Sequence, residues 1–170
     1  TLLPRLPVAP DLVARLAALE AWTRACHERL GEQFAGRRRD GFIRECHGDL
    51  HLGNIAWLAT PGGLGEPLIF DSLEFNPDLR HIDVISELAF LAMDLHARDR
   101  ADLAWRFLDR YLTRTGDHAG LVVYPYYTVY RAMVRAKVAA LRAAQGEAGA
   151  LADCARQIAL AEGLARPGPN

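Results

Sequence analysis

Behind Asp11, a plausible helix N-cap, apolar residues recur at helical spacing: Leu12, Leu16, Leu19, Trp22, Cys26 and Leu30, up to Gly31. A stripe of this period predicts a helix from Asp11 to about Leu30. From Phe42 to Leu50 the pattern turns short and mixed. Ile55, Ala56, Trp57 and Leu58 then run into the breakers between Thr60 and Gly65, and Pro67, Leu68, Ile69 and Phe70 resume an apolar run ending on Asp71. Two short strands joined by a glycine-rich turn account for this stretch. Val84, Leu88, Leu91 and Leu95 share a helical face that Ala89, Phe90, Ala92 and Met93 widen, which predicts a substantially buried helix. Further helices are expected from about Asp99 to Leu112, from Pro125 to near Gly146, and from Leu151 to Leu164. The expected fold is mostly α with one small β-hairpin, an α+β arrangement over 11–165. Residues 1–10 read as a connector and 166–170 as a tail.

Composition narrows the class without naming a function. The chain has 170 residues, 51% hydrophobic and 24% charged, the usage of one ordinary globular domain. A formal net charge of -1 supplies no excess cation for a phosphate backbone, so no nucleic-acid partner is implied. The run Arg37, Arg38, Arg39 is expected to be a solvated turn before a strand. Cys26, Cys46 and Cys154 are odd in number and form no CxxC pair, which suits a reducing, cytoplasmic setting. No apolar stretch reaches the roughly 20 residues of a membrane span, so no membrane partner is expected.

Chemistry concentrates in His47-Gly48-Asp49-Leu50-His51-Leu52-Gly53-Asn54 and in Asp71-Ser72-Leu73-Glu74 after the hairpin. Phosphoryl transfer to a hydroxyl needs a carboxylate that orients and deprotonates the acceptor, and oxygen ligands for Mg²⁺ beside the nucleotide phosphates. An Asp, an Asn five residues later, and a second Asp after a hairpin supply that set. The hairpin returns the chain so that Asp71 can meet Asn54.

The octet 47–54, Ile69-Phe70-Asp71 and the downstream Arg80 and Asp83 together resemble the core of the aminoglycoside phosphotransferase and choline-kinase-like family, within the kinase-like superfamily. Glu74-Phe75-Asn76, Ile82-Asp83-Val84 and the stretch from Glu87 to Leu95 are similar to a branch often fused to a P-loop ATP-binding domain. The likeness covers about residues 41–140. It implies the C-terminal lobe of a kinase-like fold, with catalytic loop 47–54 and metal-binding segment 69–76. It further implies an ATP- and Mg²⁺-dependent transfer to a small-molecule hydroxyl acceptor. Asp49 would be the catalytic base, and Asn54 and Asp71 the Mg²⁺ ligands. His47, His51, Glu74 and Asp83 would support them, His47 by bracing the loop and Asp83 by capping its helix. A complete enzyme of this kind also carries an N-terminal lobe with a β-sheet, a loop over the phosphates and a strand lysine. None of these precedes Asp11, and Lys137, the only lysine, lies in a C-terminal helix. With its opening at Thr1, the chain is expected to be a fragment lacking that nucleotide lobe and inert alone.

Two other readings stand beside this one. His47, Asp49 and His51 alternate, so an extended segment would put them on one face as a metal-dependent phosphohydrolase site. A regulatory or docking lobe without activity is the third. Tyr124, Tyr126, Tyr127 and Tyr130 are expected in the core rather than in an acceptor pocket.

Overall fold

The computed structural model describes residues 10–59 and 62–166, so 1–9 of the connector and 167–170 of the tail lie outside the described residues. The first expected helix is present as α1 (Pro10–Arg29). It is followed at once by a second helix, α2 (Gly31–Arg39). The arginine run is therefore not a solvated turn. It is helical, and Arg37 is buried.

Two small antiparallel sheets stand where one hairpin was expected. The expected hairpin joins β2 (Ile55–Leu58) to β3 (Glu66–Ile69), with Ile55 opposite Ile69. The second sheet pairs β1 (Ile43–Glu45) with β4 (His81–Asp83), in the register Ile43 to Asp83. The Val84 N–H to Phe42 O and Cys46 N–H to Arg80 O bonds extend this ladder at both ends. The single-turn helix α3 (Pro77–Arg80) precedes β4, with the Asn76 side chain accepting from the Asp78 N–H at its start.

Helix α4 (Val84–His96) is the hub. Ten of its thirteen residues are buried, as expected of a helix that is apolar nearly all round. Phe90 and Met93 face a core shared with Leu12 and Leu19 of α1, Val129 and Ala132 of α6 (Tyr124–Ala144), and Ile158 of α7 (Ala150–Ala165). Ile85, Leu88, Ala89 and Ala92 face a second core with Ala104 and Leu108 of α5 (Ala101–Thr115) and Val123. A helix with a partner on each side fixes the position of whatever precedes it, here β4 and, through β1, the segment leading to Gly48.

No helix among the described residues is long and apolar enough to cross a membrane. Cys26, Cys46 and Cys154 are free thiols.

Candidate functional site

The octet folds into an extended loop ending in a 3₁₀ turn at Leu52–Asn54, immediately before β2. Backbone groups are anchored from below by α4 and α6. Buried Glu87 accepts the N–H groups of His47 (3.0 Å) and Gly48 (3.1 Å). Arg131 donates to Gly48 O and to Ser86 O, both at 3.1 Å, with its guanidinium 4.6 Å above the Phe90 ring. Asp94 accepts the Leu52 N–H at 2.9 Å. Burial pushes the Glu87 carboxyl above its ordinary value, although Arg131 and the two N–H groups pull it down. The same burial lowers Arg131, which Glu87 opposes. Gly48 is the position that demands glycine. Its φ is +86°, and a Cβ there would lie 3.0 Å from Leu79 O and 3.1 Å from Leu73 Cδ1.

Within the loop, Asn54 clamps Asp49. Its Nδ2 donates to Asp49 O at 3.0 Å and to Asp49 Oδ2 at 3.2 Å. The amide hydrogens are thereby committed, and the Asn54 Oδ1 is left as an oxygen donor without a hydrogen bond among the described residues. His51 supports the same carboxylate. The Gly53 N–H donates to His51 Nδ1 at 3.0 Å, so that nitrogen bears no proton; the proton of the neutral ring sits on Nε2, 3.4 Å from Asp49 Oδ2. The His51 hydrogen bond, with help from Asn54 and the field of Arg135, holds the Asp49 carboxyl below its ordinary range, against the upward push of burial. Asp49 Oδ1 carries no hydrogen bond among the described residues and is available to a proton donor.

His47 ties the loop to the hairpin. Its Nε2 donates to Phe70 O at 2.7 Å, and its Nδ1 accepts the Asp49 N–H at 3.3 Å. Phe70 N–H also donates to Asn54 O, and Leu73 N–H to His47 O. Asp71 is thus held between two residues bonded to the loop, in the left-handed region at φ 63°, which Asp tolerates better than most residues. Its carboxylate is exposed and has no partner among the described residues. Glu74, also exposed, accepts among the described residues only from Ser72 Oγ, at 3.4 Å.

Asp83 does more than cap. It accepts the Ile85 N–H at 2.9 Å, and its two oxygens take the Nε and Nη2 of Arg37 at 2.6 and 2.9 Å. Asp117 holds the other edge of the same guanidinium, at 2.8 Å for each bond, and accepts from Tyr111 OH at 2.9 Å. Neither this Asp-Arg-Asp cluster nor the anchoring of the loop by Glu87, Arg131 and Asp94 was expected from the sequence. Only buried acids inside the apolar stripe of α4 could have signalled the last group.

A cleft of about 700 Å³ opens on Asp49 and Gly48, walled by Tyr126, Tyr127, Tyr130 and Lys137 of α6. Of the four tyrosines assigned to the core, Tyr124 is buried there, whereas Tyr130 is exposed on the cleft wall.

Asn54 Oδ1 and Asp71 are an amide oxygen and a carboxylate, each without a hydrogen bond among the described residues, carried on neighbouring strand ends and of the donor type that hard divalent cations take. The alternating triad fits less well. All four ring nitrogens of His47 and His51 are engaged within the loop and hairpin, and among the described residues no group of three or more His, Cys, Asp and Glu side chains is arranged to hold a metal.

Uncharacterized proteins of Mycobacterium bovis (strain ATCC BAA-935 / AF2122/97) and of Mycobacterium tuberculosis strains CDC 1551 / Oshkosh and ATCC 25618 / H37Rv are each 44% identical to this chain over 128 residues. The match takes in 75% of this chain and 25% of each relative, so the matched stretch spans about a quarter of the length of those curated relatives. No family model and no solved structure matches the chain.

Proposed function

We propose that this chain supplies the catalytic loop of an ATP- and Mg²⁺-dependent phosphotransferase acting on a hydroxyl of a small molecule, of the aminoglycoside phosphotransferase and choline-kinase-like kind. The observation that carries the reading is the Asn54 clamp on Asp49. It fixes the carboxylate of a candidate base and leaves the amide oxygen uncommitted, on a residue whose backbone carbonyl is bonded to Phe70, next to Asp71.

In this reading the acceptor enters the α6 cleft and gives its proton to Asp49 Oδ1. The carboxylate is kept ionised by His51 and Asn54, and oriented by a backbone that Glu87 and Arg131 hold from below. Asn54 Oδ1 and Asp71 would hold Mg²⁺, whose chemistry is to neutralise charge on the transferred phosphoryl group. Glu74 is close enough in sequence to Asp71 to assist there. Nucleotide contacts come from a second lobe, and the branch likeness adds a fused P-loop domain. Trp57 and Leu64 on the hairpin and Phe75 beyond it are 66, 96 and 81% exposed, apolar side chains that such a lobe would cover. The chain alone is then inert, and a cytoplasmic setting suits its free thiols.

The test uses the longest protein that carries this chain. Asp49→Ala should lower transfer from ATP to hydroxyl acceptors by about 10²- to 10⁴-fold, the usual worth of a general base, while sparing nucleotide binding. Near-wild-type turnover would remove Asp49 from the role. Metal-dependent release of phosphate from phosphomonoesters by the isolated chain would put the His47-Asp49-His51 reading in its place.

A further inference from the structure

Behind the catalytic loop, on the far side of His51 from Gly53, Arg135 of α6 has a guanidinium without an acceptor. Its Nη1 lies 3.2 Å from His51 Nε2. That nitrogen carries the ring proton, because Nδ1 is occupied by the Gly53 N–H and Nε2 faces Asp49. Two donors therefore confront each other, and a half-buried Arg135 forms no ion pair with any carboxylate among the described residues. An arginine is always charged; Asp49 lies within reach of its field, yet no oxyanion is hydrogen-bonded to the guanidinium itself.

The space next to it is a polar cleft of about 240 Å³ between the end of α4, α6 and α7, lined by Arg98, Arg135, Arg142 and Arg156 against Asp94 and Asp153. The two outer arginines are committed, Arg142 to Glu147 and Arg156 to Asp153. Asp94 Oδ2 accepts the Leu52 N–H and forms an ion pair with Arg98 at 3.7 Å, longer than a hydrogen bond. Arg135 and the half-committed Arg98 are thus two cations of one cleft, neither of them hydrogen-bonded to a carboxylate among the described residues.

We propose that this cleft is a binding site for a small phosphate-type oxyanion, held by Arg135 and Arg98 with Arg142 and Arg156 at its rim. Guanidinium forks match phosphate oxygens in geometry as well as charge, and the volume suits one such group. The occupant would share Arg135 with the His51–Asp49 pair and so stand one side chain from the catalytic loop. Anion binding here requires no phosphotransfer, so its test stands apart from that of the proposed function.

The experiment is thermal unfolding and calorimetric titration of the chain with inorganic phosphate, at ionic strength held constant with potassium chloride. A parallel titration with glycerol 3-phosphate distinguishes free phosphate from a phosphomonoester as the source, the tighter binder naming it. The expected result is a saturable rise in the unfolding midpoint, equivalent at ten times the dissociation constant to an about elevenfold gain in the folding equilibrium. Arg135→Gln should weaken binding at least about tenfold, as loss of a charge-assisted bond does. Arg98→Gln should weaken it severalfold; this side chain is 58% exposed, so the variant carries the test alone if Arg135→Gln does not fold. A midpoint shift no larger than that from chloride, or phosphate binding unchanged in the Arg98 variant, would overturn the site.

Discussion

Removing Arg37 tests the packing that holds the loop from the side of α2. The guanidinium is 6% exposed and makes four hydrogen bonds to Asp83 and Asp117, each itself 1% exposed, while stacking 4.2 Å over the Phe42 ring. Arg37→Met keeps most of the stem and deletes the charge, stranding two buried carboxylates. Breaking a buried pair this way costs about 3–5 kcal/mol, a large share of the roughly 5–15 kcal/mol that holds a domain together. For a chain of this size that lowers the thermal midpoint by about 6–20 °C. The pH dependence separates this cause from a simple packing loss. Burial pushes the Asp117 carboxyl up, but its bonds to Arg37 and Tyr111 outweigh that and hold it below its ordinary 3.8. A depressed folded-state value means stability that is present above the unfolded value, near pH 4, and lost as pH falls through the folded one. Without Arg37, burial governs and the folded-state value rises above the unfolded one, so the variant recovers stability as pH falls. Urea unfolding at pH 7 and pH 5 should therefore show a deficit that narrows at pH 5. A loss below about 1 kcal/mol, or one equal at both pH values, would refute the assignment of a buried ionic cluster.

Two further substitutions probe the loop from beneath. Gly48→Ala forces a side chain into φ +86° against Leu79 O and should cost about 1–3 kcal/mol in denaturant unfolding; an unchanged midpoint would mean that the backbone there is not constrained. Phe90→Ala deletes a side chain that is 1% exposed, edge-on to His51 at 5.6 Å and beneath Arg131. It should cost about 3–5 kcal/mol by unfolding, and the His51 ring resonances in NMR should broaden or shift if the ring is held from that side.

The elements legible along the chain were those whose signal is local. The stripes of α1, α4 and α6 and the run-breaker-run pattern of β2 and β3 each repeat within a few residues, and they place those elements to within a few residues of the ends observed. The spacing of Asp49 and Asn54 was legible for the same reason, since five positions of one loop separate them, but the hydrogen bonds by which Asn54 clamps Asp49 were not part of that pattern. What the sequence left hidden depends on which helices meet. Strands β1 and β4 are three residues each, too short for a period, and they pair only because α4 carries β4 into place. Arg37 looked like a solvated charge because its partners lie 46 and 80 residues away. Arg131 reaches Gly48 across 83 residues, and Glu87 reaches it across 39. A local pattern records the preference of a residue for helix, strand or turn; whether its charge ends in water or against a buried carboxylate is decided by the packing of α2, α4 and α6, which no single stretch of the chain contains.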